Sequence, residues 1–171
     1  MQYISHYTSP LGELLIAADD IGLTGLWFAG QKYYARGLDT EHEERESLAI
    51  ASAKHWLDVY FAGQQPDFTP PLHLVGTAFQ TAVWDILLTV PYGETLTYGE
   101  IAARIAAQQG RGHMSAQAVG GAVGRNPVSI IVPCHRIVGK SGDLTGYAAG
   151  VEKKTSLLRL ENAALPVLAR E

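Results

Sequence analysis

The sequence predicts an α+β protein in two parts. Strand patterns crowd the first thirty residues, helix patterns fill the chain past Gly76, and a proline-rich stretch lies between them. A chain of 171 residues can bury a full core as one domain or as two small ones. The boundary is placed after residue 75, giving an N-terminal α/β domain over 1–75 and a mostly helical domain over 76–171.

"YISHYTSPLGELLIAADDIGLTGLWF" reads as β-rich runs broken at Pro10-Leu11-Gly12 and Asp19-Asp20-Ile21-Gly22, which predicts hairpins. "DTEHEERES" follows as a solvated lead-in to a helix over "LAIASAKHWLDVYFAG". The apolar stripe of that helix is Leu48, Ala51, Ala53, Trp56, Leu57, Tyr60 and Phe61, and its stop is Gly63. "QQPDFTPPLHLVG", with three prolines, predicts a linker. In "TAFQTAVWDILLTV" the residues Phe79, Val83, Ile86, Leu87 and Val90 fall at helical spacing before Pro91-Tyr92-Gly93. "TYGEIAARIAAQ" gives a second helix and "SAQAVGGAV" a third, with the loop "QGRGHM" between them, a helix-turn-helix arrangement.

The third helix has almost no side-chain bulk at Ala116, Ala118, Gly120, Gly121 and Ala122. Glycine inside a helix costs about 1 kcal/mol relative to alanine, so the pair needs a reason. Two fit: close approach to another backbone, either a neighbouring helix or the sugar-phosphate of a nucleic acid, or simple tight packing.

Apolar residues make up 47% and charged residues 18%, and no apolar run approaches the ~18 residues of a membrane span. A soluble globular protein with no membrane partner is expected. "MQYISHYTSP" lacks a basic region followed by an apolar core, so the expected address is the cytoplasm. The net charge of -4 hides a division. Residues 1–75 hold four Lys/Arg against ten Asp/Glu. Residues 104–159 hold eight (Arg104, Arg111, Arg125, Arg136, Lys140, Lys153, Lys154, Arg159) against Asp143 and Glu152. That segment, at +6, reads either as ordinary scatter or as a phosphate-facing patch.

"IVPCHRIVG" holds the only cysteine. One cysteine makes no internal disulfide and no Cys-rich zinc site, so Cys134 is either a small buried filler or a reactive thiol. A free thiol titrates near about 8.5 and the thiolate is the nucleophile, so a reactive cysteine needs a base. His135 is adjacent, but neighbours on a strand point to opposite faces, so contact requires a turn at Pro133 or a bridging water. A carboxylate would fix the imidazole tautomer, with Asp143, Glu152 and Glu161 as candidates. Asn126, ahead of Pro127, is pushed out of helical space and reads as a turn residue, and "GDLTGYAAG" is a glycine-hinged loop presenting Tyr147.

"VPYGETLTYGEIA", "NPVSIIVPCHRIVG" and "GYAAGVEKKTSLLRLE" together closely resemble the alkylguanine-DNA alkyltransferase family over roughly residues 76 to 161. The N-terminal part is similar more loosely, through its hairpins and the helix ending "YFAG". The resemblance implies a ribonuclease H-like N-terminal domain and a winged helix-turn-helix C-terminal domain. It implies a direct, single-use repair reaction without a cofactor or metal, in which a monomer binds double-stranded DNA carrying alkylated bases. The base is flipped from the stack, and the alkyl group moves from O6 of guanine or O4 of thymine to Cys134.

By the same resemblance His135 acts through a water as base, Glu161 orients His135, and Asn126 binds within the turn between the recognition helix and an active-site strand. The Tyr98 hydroxyl donates a hydrogen bond or a proton to the guanine as it leaves as an anion. Tyr147, the backbone of Ile137 and Ala148, and Ala149, where some members have glycine, line the pocket. Residues 115–123 become a minor-groove recognition helix with Ala116, Ala118, Gly120 and Gly121 against DNA, and with Arg125 and Arg111 nearby. Gln117 stands where the family commonly has an intercalating arginine, and the Arg111 loop is longer than in compact members. A lesion binder without transfer and a cysteine hydrolase are the rival classes. Cys134 argues against the first, and the lack of an oxyanion motif argues against the second.

Overall fold

The computed structural model describes residues 1–144 and 146–161, so the end of the second expected domain, 162–171, lies outside the described residues. The chain forms two compact units. One takes Met1–Val75 together with Pro127–Ile131, and the other takes Gly76–Asn126 and the chain from Val132 onward. A boundary drawn once along the chain does not express this five-residue return.

In the first unit β1 (Gln2–Ser9), β2 (Gly12–Ala18), β3 (Leu23–Phe28) and β4 (His42–Glu44) form one sheet in the order β3-β2-β1-β4. The first three are antiparallel, and β4 runs parallel to β1 with Gln2 opposite His42. The β2–β3 turn is made by Asp19, whose carboxylate accepts the backbone N–H groups of Ile21 (2.9 Å) and Gly22 (3.1 Å). All five residues Leu14–Ala18 are buried because both sheet faces are covered. Helix α1 (Leu48–Phe61) packs against β1, β2 and β3, while Ile4, Ala35 and Leu38 close over Leu15, Ala17 and Trp27. Gly25 makes room for Trp27: a Cβ there would lie 1.9 Å from the indole.

Three expectations are corrected here. The acidic lead-in contributes β4, an exposed strand whose charges occupy the sheet edge, where they oppose pairing with another chain. The α1 stripe is rotated: Ser47 caps the helix through the Ile50 N–H, Ala49, Ile50, Ala53, Trp56, Leu57 and Tyr60 are buried, and Leu48 is 92% exposed. Ala51 is exposed and Phe61 half-buried. The proline-rich stretch is tied along β3, because Leu23 donates to the Pro71 carbonyl (2.8 Å) and His73 to the Leu23 carbonyl (2.8 Å). Proline lacks only the donor, so its carbonyl still pairs.

In the second unit α2 (Ala78–Leu87) and α3 (Tyr98–Gln108) each begin with a capping box, Thr77 with Gln80 and Thr97 with Glu100. Ser115 caps α4 (Ala116–Gly124). α3, the 109–115 loop and α4 make the helix-turn-helix, and α2 packs on both helices. The short strand β5 (Leu96–Thr97) pairs in parallel with β6 (Ile137–Val138), and α5 (Val151–Leu160) follows the glycine-hinged loop. Trp84, outside the expected apolar stripe of α2, is buried and donates its indole N–H to the Ala122 carbonyl (2.9 Å), fixing α4 to α2. Among the described residues no helix is long and apolar enough to cross a membrane.

Trp84→Phe keeps most of the apolar body but orphans the Ala122 carbonyl. It is expected to lower unfolding free energy by about 1–3 kcal/mol in urea titration, with the m-value unchanged.

Candidate active site

Cys134 does not lie on a strand. Residues Cys134–Arg136 form a single 3₁₀ turn opened by Pro133, at φ -83° and ψ 66°. The Cys134 N–H donates to the Val132 carbonyl across that proline (2.8 Å), an inverse γ-turn. Just upstream the Ile131 N–H donates to the Ser129 carbonyl (2.8 Å), with Ile130 between them at φ +70°. A β-branched residue in that region is strained by about 1–3 kcal/mol, and complete burial of Ile130 holds it there. Asn126 spans the second of these bends, donating its amide to the Val132 carbonyl (2.8 Å) and hydrogen-bonding the Cys134 sulfur.

Glu161, at the end of α5, is 3% exposed and gathers the surrounding groups. His135 Nε2 donates to its Oε2 (2.6 Å), Arg136 Nε donates to its Oε1 (2.8 Å), and the Gly93 N–H reaches Oε1 as well (3.2 Å). Arg136 also donates to the Val90 carbonyl (2.8 Å). Burial works against the carboxylate, but the bonds and charges of His135 and Arg136 hold it down at about 2. An ionised Glu161 accepts from Nε2, so the neutral imidazole keeps its proton on that atom and its lone pair on Nδ1. Burial also keeps His135 below its usual range, and therefore neutral.

Burial pushes the Cys134 thiol up. Working in the other direction are the Asn126 bond, the charge of Lys154 and the N–H groups of Cys134 and His135. Burial thus favours the thiol, and the groups around the sulfur favour the thiolate. The Tyr98 phenol is pushed up to about 12, by burial first and then by the sulfur's charge. It stays protonated, and its hydroxyl donates to the Gly146 carbonyl (3.2 Å).

The structure thus brings Cys134, His135, Glu161, Asn126 and Tyr98 into one locality. Ile137 follows in β6, and Tyr147, Ala148 and Ala149 lie half-buried on the hinged loop. Ala116, Gln117 and Ala118 are exposed on α4, as is Arg125 just past it, whose guanidinium donates to the Gly121 carbonyl (3.0 Å). Arg111 is exposed beside a groove of about 450 Å³ lined by Ala102, Ala106, Gly112 and His113 among others. A Cβ at Gly120 would meet only the Tyr98 ring, at an ordinary 3.9 Å, and one at Gly121 only the tip of Arg125. Packing within the described residues therefore does not explain either glycine. The +6 segment is corrected: Arg136 is 8% exposed and Lys154 fully buried, so neither faces a phosphate. Sequence reasoning missed both as site residues. A signal was present for Lys154, which shares with Leu157, Leu158 and Glu161 the i, i+3, i+4, i+7 face of α5.

Two family models match. One, described as the DNA binding domain of 6-O-methylguanine DNA methyltransferase, covers residues 78–163, and the other, its ribonuclease-like domain, covers residues 2–74. The methylated-DNA--protein-cysteine methyltransferase of Mycobacterium tuberculosis is 45% identical over 92% of this chain and 91% of that protein. The one from Methanosarcina acetivorans is 43% identical over 94% of this chain and 99% of that protein. The crystal structure of Mycobacterium tuberculosis OGT in complex with DNA superposes with a TM-score of 0.80 at 43% identity, covering 96% of each chain.

Acid should unfold this unit from the site outward. Glu161 sits below its ordinary 4.5, so its contribution is complete above that pH and lost as pH falls toward about 2. His135, held below 6.5, adds destabilisation in the same direction as pH falls through 6.5. Glu161→Gln is expected to cost about 3–5 kcal/mol at pH 7 and to flatten the stability curve between pH 4.5 and 2. A variant curve parallel to wild type there, measured by urea unfolding, would contradict this.

Proposed function

The chain belongs to the 6-O-methylguanine DNA methyltransferase family, and from that premise we propose that it repairs DNA by moving the alkyl group of O6-alkylguanine, and of O4-alkylthymine, irreversibly to its own Cys134. The observation that carries this reading is the 3₁₀ turn that sets Cys134 next to an imidazole fixed by a buried, ionised carboxylate.

The thiol gives its proton to His135 Nδ1 through a water, and Glu161 stabilises the imidazolium that results. The sulfur lone pair then attacks the alkyl carbon as the carbon–O6 bond breaks, and the bonding electrons leave with the guanine. Tyr98, protonated and held near Cys134, donates its hydroxyl proton to that anion in place of the Gly146 carbonyl. Tyr147, Ala148 and Ala149 and the Ile137 backbone enclose the extruded base. The product thioether has no leaving group that water can displace readily, so each chain acts once. Nothing in the sequence of steps calls for a cofactor or a metal.

Double-stranded DNA is the partner, bound by the exposed face of α4 through its minor groove. Ala116, Ala118, Gly120 and Gly121 allow the backbone of α4 to approach the sugar-phosphate. Gln117 fills the gap left by the flipped base. Phosphate contacts come from Arg125, Arg111 and the other exposed cations of the segment, and these give affinity without regard to sequence. The protein works as a monomer.

A duplex carrying labelled O6-methylguanine tests the reading. Label should transfer once per chain to the peptide holding Cys134; binding without transfer would make the protein a lesion binder, and repeated turnover a hydrolase. Cys134→Ser should abolish transfer and leave DNA affinity within a few-fold, whereas Gln117→Ala should slow transfer from duplex more than from single strands. Arg125→Ala and Arg111→Ala should each reduce the slope of log affinity against log salt by about 0.9, measured by fluorescence anisotropy.

A further inference from the structure

Gln31 is a polar side chain that the scheme above does not use, and it is 7% exposed. A glutamine is seldom buried without a partner that needs it. Its Oε1 accepts the Phe28 N–H (2.8 Å), and because a backbone N–H can only donate, the amide is held with its oxygen toward that group. The Ser129 hydroxyl therefore donates to the same oxygen (3.3 Å). Ser129 belongs to residues 127–131, which are built into the first unit: Leu26 of β3 donates to the Pro127 carbonyl (2.9 Å) and accepts the Ser129 N–H (2.9 Å). Its own carbonyl closes the strained bend at Ile130 by accepting the Ile131 N–H (2.8 Å). Ser129 is thus held at its N–H, its hydroxyl and its carbonyl. A strained bend keeps its shape only where its ends are held, and Asn126 holds the other end through the Val132 carbonyl.

Resting on the alkyl-transfer reading, we propose that Gln31 is a positioning residue of that reaction: through Ser129 it anchors the upstream end of the double bend that presents Cys134. Its influence travels along the backbone. Ser129 sets the bend at Ile130, that bend sets Val132, and the Cys134 N–H closes the next bend on the Val132 carbonyl (2.8 Å). A misplacement of about 1 Å at a reacting atom can cost on the order of 100-fold in rate, so even a partial shift of the turn is readable. The Leu26 bonds use backbone atoms alone, so the share carried by the Gln31 and Ser129 side chains is separable by substitution.

The test uses the full chain. Transfer of label from a duplex carrying O6-methylguanine is followed at saturating DNA for wild type, Gln31→Met, Ser129→Ala and the double variant. The amplitude counts the folded chains, and the rate constant reports how Cys134 is held in them. Gln31→Met is expected to lower that rate constant by about tenfold, with DNA affinity within about twofold of wild type. Ser129→Ala should lower it by about threefold, and the double variant should match Gln31→Met, because both substitutions cut one link. A merely structural Gln31 would lower the amplitude and the thermal midpoint and leave the rate constant unchanged. That result, or an effect confined to DNA affinity, overturns the proposal. A second readout needs no DNA: the pH midpoint of Cys134 alkylation by iodoacetamide. Neither substitution adds or removes a charge, so a moved midpoint reports a moved turn; a shift of about half a unit is expected, and coincident midpoints overturn the proposal. If Gln31→Met does not fold, Ser129→Ala decides, since Gln31 keeps its Phe28 bond there and only the side-chain link to Ser129 is cut. A wild-type rate constant and midpoint in that variant overturn the proposal as well. If wild type transfers no label, the alkyl-transfer reading falls, and the positioning of Cys134 is judged by the iodoacetamide midpoints alone.

Discussion

The second unit is organised around one buried carboxylate. Glu161 takes hydrogen bonds from His135, Arg136 and Gly93, and each comes from a different local structure or serves a different end. His135 and Arg136 belong to the 3₁₀ turn, while Gly93 ends the turn that follows α2, where Arg136 also reaches the Val90 carbonyl. Removing a carboxylate from water is expensive, and three directed donors with one full positive charge among them offset that expense only if the geometry is held. The geometry is held because α5, the cysteine turn and the 91–93 turn are mutually fixed through this one residue. Function follows from the same constraint, since the bond that orders the turn also decides which imidazole nitrogen carries the proton.

The sulfur poses the opposite problem. Chemistry needs a thiolate, yet burial favours the thiol. A turnover enzyme would answer with a strongly lowered pKa and accept the side reactions of an exposed thiolate. Where the cysteine is consumed once, burial serves differently: at 5% exposure the sulfur is shielded from oxidation and stray electrophiles, while the groups around it favour the anion. The surrounding groups fit that division. Asn126, two backbone N–H groups and Lys154 stabilise the anion without creating it, and the neutral imidazole waits with its lone pair on Nδ1.

Much of this was legible in the sequence, and what was not has physical causes. The hairpins were marked by Asp19 and Gly12, and α2 by the helical spacing of its apolar residues, because turns and periodicity are decided by neighbours in the chain. The strand over His42–Glu44 was invisible because its only reason to be extended is the free edge of β1, which lies forty residues earlier. The same holds for Pro71, whose carbonyl finds Leu23, and for Trp84, whose indole finds Ala122. Within the site, Cys134, His135, Glu161 and Asn126 stood out by residue type and by resemblance. Arg136 and Lys154 were counted as surface cations because a charge count carries no depth, and only the helical face shared with Glu161 hinted otherwise.

Helix α4 is built against its own stability. Nine residues with three glycines make a poor helix: at roughly 1 kcal/mol per interior glycine, α4 would not hold its shape in isolation. It is kept by what surrounds it. Ser115 accepts the first backbone donors, Val119, Ala122 and Val123 bury one side, and the Trp84 indole grips the backbone at Ala122. All of the support lies on the inner face, which leaves the outer face free of any packing duty. That face is small where packing among the described residues does not require it, which is the shape that the proposed approach of α4 to a DNA backbone uses.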